Sequence, residues 1–215
     1  MNSFLQTDYK TIDIKKDDNW REIFENYRNE ILQADDALIR NYAKDRLKVD
    51  DHSGFFITIN NSLDIVAFYG VYKRDWWPEG FFRIGNRTWV DPRYRSKSAR
   101  HHTGYPFRLG WLFTHGHDPM IECCKENGGL IAFASKENTG RKKNVFVYTA
   151  GIELPKLRPE WSLLDGYYNV VGVNDTKDCW QKITYRQLTN NDISFVGFDH
   201  ISDEEFEERF INESI

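Results

Sequence analysis

Between Val90 and Arg108 the chain reads VDPRYRSKSARHHTGYPFR, in which Arg93, Arg95, Lys97, Arg100 and Arg108 alternate with Ser96, Ser98 and the rings of Tyr94, Tyr105 and Phe107. Guanidinium and ammonium groups supply positive charge, and serine hydroxyls donate, so the segment has the chemistry of a phosphate grip. Phosphate contacts with base stacking would also suit a nucleic acid. The rest of the chain speaks against that partner, because acidic residues outnumber basic ones and no nucleic-acid-binding signature occurs. Four of the six histidines, His101, His102, His115 and His117, lie in or just after the segment. Their spacing matches no zinc motif and no cysteine lies near them in sequence, so no metal site is expected.

The whole chain bounds these readings. Its 215 residues suffice for one substantial core, and a hydrophobic fraction of 40% with 15% aromatic residues describes a globular protein rich in rings. A formal net charge of -4 excludes coating of nucleic acid by bulk electrostatics. No apolar run is long enough to span a bilayer, and the N-terminal residues have neither an apolar core nor a cleavage pattern. Three cysteines, two of them adjacent at Cys123 and Cys124, make no disulfide framework. A cytoplasmic protein with free thiols and no membrane partner is expected.

The elements that must position the cationic segment follow from periodicity. Alternation over Tyr9 to Ile14 predicts a first strand. Trp20, Ile23, Phe24, Tyr27, Ile31 and Leu32 recur at helical spacing, and Ala37, Leu38, Tyr42 and Leu47 do so more weakly after Asp35 or Asp36 as a cap. GFFITI (Gly54 to Ile59) and DIVAFYGVY (Asp64 to Tyr72) read as a hairpin around Asn60-Asn61. A third strand runs from Phe81 to Val90 and stops at Pro92, which cannot donate to a ladder. A helix follows only at HDPMIECCKENGG, with Asp118 as cap, Pro119 in its first turn and Gly128-Gly129 as its end. LIAFAS (Leu130 to Ser135) reads as a buried central strand, Thr139 to Ala150 as a helix stopped by Gly151, and YYNVVGV with CWQKITYRQL as two last strands.

This order resembles the GCN5-related N-acetyltransferase (GNAT) family, from about Tyr9 to Leu188. The resemblance implies an α/β (α+β) fold, with a central mixed, mostly antiparallel sheet flanked by helices. Family members end a strand in V-x-P-x-Y-R-G-x-G-x-G/A, whose loop and following helix N-terminus hold the pyrophosphate of acetyl-CoA. Val90-Asp91-Pro92-Arg93-Tyr94-Arg95 matches the first half, whereas Ser96, Ser98 and Arg100 stand where the glycines would be. Glycines let backbone N–H groups approach phosphate without a Cβ in the way, and serine is a partial substitute because its hydroxyl donates. The cradle is then Arg93, Arg95, Ser96, Lys97 and Ser98, or it has moved to Thr114-His115-Gly116-His117 before the delayed helix.

By the same resemblance, a backbone amide at Trp89 or Val90 stabilises the oxyanion, Asn138 follows the buried strand, and Tyr148 is the acid for the leaving thiolate. Tyr148 lies one residue closer to Gly151 than the family spacing, and Ile152 replaces a phenylalanine. Asp75, Glu79 and Glu137 are the carboxylates available as a base, Trp76-Trp77 would line an acceptor pocket or cover the core, and the two adjacent cysteines read as packing. The implied activity is N-acetyl transfer from acetyl-CoA to a small-molecule or peptide amine. The alternative is a noncatalytic module of the same fold, which the missing glycines favour. One domain is expected over residues 1–200. The tail 201–215 offers Ser202 and Glu205 as a capping box with Phe206 and Phe210 on one helix face, to dock on the domain or on a second copy in a homodimer.

Overall fold

The computed structural model describes residues 9–33, 48–94, 115–137, 155, 158–169, 180–190 and 198–210. The chain packs as two compact units, neither of them a continuous stretch of sequence. The first comprises residues 1–73 and 84–127, the second residues 74–83 and 128–215.

In the first unit β1 (Tyr9–Asp13) pairs antiparallel with β2 (Gly54–Asn60), and β2 with β3 (Ile65–Tyr72). Asn60 builds the connecting turn with its side chain, its Oδ1 accepting the N–H groups of Ser62 at 2.9 Å and Asp64 at 2.8 Å. Helix α1 (Asp18–Gln33) starts where the carboxylate of Asp17 takes the N–H of Trp20, an N-cap just ahead of the apolar periodicity. Its Phe24 is fully buried against Phe55 and Phe68, with ring centroids 5.2 and 5.7 Å apart. Around this row Ile12, Ile14, Val49, Ile57, Ile59 and Trp89 close one core. Tyr27, expected on the same helix face, is about half exposed.

The residues of β2 that alternate with this row, Gly54, Phe56 and Thr58, are buried as well. A Cβ on Gly54 would lie 2.5 Å from the Sγ of Cys123, which belongs to α2 (His117–Glu126). The sheet is thus covered on both faces, which is why β2 reads as a continuous apolar run.

In the second unit the first residues of β4 (Phe81–Val90) pair in parallel with β5 (Ile131–Glu137), from Phe81↔Ile131 to Arg83↔Phe133. β5 pairs antiparallel with β8 (Trp180–Gln187) over its full length. The short strands β6 (Ser162–Leu163) and β7 (Tyr167–Asn169) also pair with β8, and β7 with β9 (Asp199–Ile201). Trp77, Phe81, Phe133 and Phe198 form its aromatic core, with Trp77 and Phe133 centroids 5.0 Å apart. Trp77 is therefore a core residue, while neighbouring Trp76 is 46% exposed.

The strands are mixed and mostly antiparallel, with helices flanking them, as the resemblance implies. The strands expected at 9–14, 54–59, 64–72, 81–90 and 130–135 all form, within about two residues of those bounds. Asp118 is not the cap of its helix, because α2 begins one residue earlier, with Gly116 at the N-cap position. The helices expected at 37–47 and 139–150 lie outside the described residues. So do residues 170–173 of the strand expected at YYNVVGV. Among the described residues no helix is long and apolar enough to cross a membrane.

Helix α3 (Asp203–Phe210) forms where the capping box stands, with Ser202 Oγ accepting the N–H of Glu205 at 3.1 Å. It packs on its own unit: Phe206, 3% exposed, stacks on Tyr167 with centroids 3.7 Å apart, and Asp203 pairs with Lys182. Deleting a buried phenyl ring costs about 3 kcal/mol or more. Phe206→Ala is therefore expected to lower the stability of the protein by about that much in urea unfolding. A variant with wild-type stability would mean that α3 does not dock there in solution.

Candidate functional site

The chemistry expected of Val90 and its neighbours begins with the shape of β4. Gly85 has φ +69°, in the left-handed region that favours glycine, and its carbonyl accepts the hydroxyl of Thr88 at 2.7 Å. Such a residue inside a strand is the mark of a bulge, which bends the strand and interrupts its ladder. The parallel pairing of β4 with β5 ends at Arg83, two residues before this glycine. Past the bulge Trp89 and Val90 are buried, and the N–H of Asp91 donates to Val66 O at 2.9 Å.

Pro92 then turns the chain, and the Asp91 carboxylate organises the corner. It accepts the Arg93 N–H at 2.7 Å, and the Arg93 guanidinium through Nε at 3.0 and 3.1 Å and Nη2 at 2.7 Å. The carboxylate raises the pKa of Arg93 above its ordinary value, by hydrogen bonding first and charge second. Tyr94 N–H donates to Asp91 O at 2.9 Å, and the Tyr94 hydroxyl accepts from Asn60 Nδ2 at 2.7 Å. Arg93, expected in the phosphate cradle, is engaged by its own chain. The D-P-R-Y stretch folds the corner at the end of β4.

Gly116 and His117 stand at the start of α2, in the same unit. Gly116 has helical dihedrals (φ -101°, ψ -23°) in a π-helical turn that runs into α2, and it provides no side-chain cap. Asp118 in the first turn opposes an anion, and its carboxylate is 2.6 Å from His117 Nδ1. The glycine has a further reason to be there: a Cβ at 116 would lie 2.9 Å from the Tyr69 ring. Below it runs a chain of hydroxyls. Thr11 Oγ1 donates to His115 O at 2.8 Å and lies 2.9 Å from Thr58 Oγ1, which is 3.4 Å from the Tyr69 hydroxyl. Burial of Tyr69 pushes its phenol well above the usual range, so it stays neutral.

Trp89 carries an unusual donor. The residue is 1% exposed, its ring is stacked on Phe68 with centroids 5.1 Å apart, and among the described residues its buried Nε1 has no hydrogen-bond partner. A buried N–H left in that state costs about 1–3 kcal/mol.

The remaining residues divide clearly. Arg95, Ser96, Lys97, Ser98, Asn138 and Tyr148 lie outside the described residues. Asp75 and Glu79 are exposed carboxylates. Cys123 is buried with its thiol pushed up to about 11, first by burial and then by Asp13, and burial raises Cys124 as well, so neither is an activated nucleophile. Among the described residues no group of three His, Cys, Asp or Glu side chains could hold a metal ion. Sequence reasoning missed the Gly85 bulge, although an isolated glycine in a strand pattern signals one. It also missed the Asp91–Arg93 fork and the Thr11–Thr58–Tyr69 chain, which no local pattern announces.

The solved structures that the chain resembles include acetyltransferases. No protein-family model matches the sequence, and no curated protein matches it. An acetyltransferase of the GNAT family from Staphylococcus aureus is similar at 13% identity over 84% of this chain and 99% of its own, with a TM-score of 0.46. A GNAT family acetyltransferase from Elizabethkingia anophelis, solved with acetyl-CoA bound, is 13% identical over 74% of this chain and 88% of its own, at 0.37. The IAA acetyltransferase of Bacillus cereus is 10% identical over 84% and 98%, at 0.42. These are distant likenesses of architecture.

The fit of α2 on the sheet has a direct test. Gly116→Ala places a methyl group inside the Tyr69 ring contact, and overpacking of this kind costs about 1–3 kcal/mol. Urea unfolding is expected to register that loss. Full stability in the variant would show that α2 sits further from Tyr69 than described here.

Proposed function

We propose that the protein is an acyl-CoA-dependent N-acyltransferase of the GNAT type that acetylates an amine of a small molecule or peptide. The observation that carries this reading is β4. It passes through the left-handed Gly85 two residues beyond its last parallel pair, runs buried through Trp89 and Val90, and ends at a corner held by Asp91, in the unit that contains Gly116 at the start of α2. A strand that leaves its parallel ladder is free to turn N–H groups on that edge toward a ligand, and a helix start favours the diphosphate of CoA.

In this reading the chain binds and orients two substrates so that an amine nitrogen reaches the thioester carbonyl. An N–H at Trp89 or Val90 holds the oxyanion. The nitrogen–carbon bond forms, the carbon–sulfur bond breaks, the amine loses a proton to a base or water, and Tyr148 gives one to the leaving thiolate. Arg95, Ser96, Lys97 and Ser98, or else Gly116 and His117, meet the diphosphate, and Asn138 is a further cofactor contact that the resemblance implies. Arg93 holds the corner through Asp91 rather than the ligand. The setting is cytoplasmic, and a homodimer is compatible with the reading.

A second reading, a noncatalytic module of this fold, draws on the absence of the loop glycines and on the engagement of Arg93 by Asp91. Calorimetric titration with acetyl-CoA and with CoA at moderate salt separates the two. The enzyme reading expects one site of micromolar affinity. No heat at millimolar ligand would overturn it and leave the module.

A further inference from the structure

The indole of Trp89 is hard to account for as packing alone. It lies in a row of rings with Phe24, Phe55 and Phe68, and every other member of that core cluster is hydrocarbon at the contact. A phenyl ring would continue the stack without a polar atom. The chain instead buries an N–H for which the described residues provide no acceptor. A buried donor of that sort calls for an explanation, and on the strand assigned to the ligand a ligand atom supplies one.

We propose that the Trp89 indole N–H is a binding residue that donates to the carbonyl oxygen of the acyl thioester. This rests on the acyl-CoA reading and deepens it. The donor stands one residue before Val90, on the strand assigned to the ligand. Its side chain selects an acyl thioester over the free thiol of CoA, because only the thioester has the acceptor oxygen. Nothing is transferred in this contact; the hydrogen bond forms on binding and is released with the product.

The test compares acetyl-CoA, CoA and S-ethyl-CoA, a thioether with no carbonyl, on the wild-type protein and on Trp89→Phe. The wild type is expected to bind acetyl-CoA about fivefold more tightly than either analogue, the difference worth one net hydrogen bond. In Trp89→Phe most of that preference should be lost, the remainder being the share of the backbone N–H at Trp89 or Val90. A preference kept in the variant, or parallel loss of all three ligands with a fall in stability, overturns the proposal.

Should the variant not fold, indole nitrogen-15 spectra of the wild type decide. One indole N–H resonance is expected to move downfield with acetyl-CoA and stay in place with S-ethyl-CoA; identical spectra reject the contact. Wild-type protein that binds none of the three ligands contradicts the acyl-CoA reading itself, an outcome distinct from binding without preference.

Discussion

A buried backbone N–H must find an acceptor, and β4 is where this protein has to change the one it uses. Its first residues satisfy that requirement in parallel with β5, and the pairing ends at Arg83. A continuous ladder would spend every later N–H on a neighbouring strand. The positive φ of Gly85, with Thr88 bonded to its carbonyl, breaks the regular pleat at that point. Asp91 then restores order by fastening the end of the strand to Val66 and the next turn to itself. The left-handed glycine and the corner together bound the short stretch from Gly85 to Asp91.

The other buried polar groups of the first unit serve a related purpose. Thr11, Thr58 and Tyr69 sit between hydrophobic strands and the start of α2, where an unmet hydroxyl would be costly. Their chain ends on the His115 carbonyl, and the Tyr69 ring lies directly under Gly116. The depth of α2 on the sheet is therefore fixed at its first turn by one small residue and one hydroxyl. Gly116 looks in sequence like part of a phosphate loop, yet its geometry is that of close packing. Both roles can coexist, because the ring occupies one side of the glycine and the amides of the first turn point along the helix axis.

How much was legible follows from the kind of signal each element leaves. The strands of the first unit announce themselves by alternation or by apolar runs, and β4 was bounded correctly because Pro92 cannot extend a ladder. α1 follows from helical spacing, though its Asp17 cap was not read from sequence, and α3 follows from helical spacing and from Ser202 as cap. The start of α2 was misjudged by its cap, since Asp118 has the right chemistry but its side chain is engaged by His117. β6 and β9 are too short to carry a period. At the site, the V-D-P-R-Y match located the corner, while the pairing of Arg93 with Asp91 two residues earlier depends on a turn that spacing does not encode. The unsatisfied indole of Trp89 depends on what surrounds it in space and leaves no trace in sequence.

The claim that a ligand lies along β4 is tested most directly by hydrogen exchange of the backbone with and without acetyl-CoA. The account predicts added protection in peptides that span Gly85 to Val90 and in the first turn of α2, and little change in β1, β2 or α3. Binding of acetyl-CoA that protects other segments and leaves Gly85 to Val90 unaltered would contradict it.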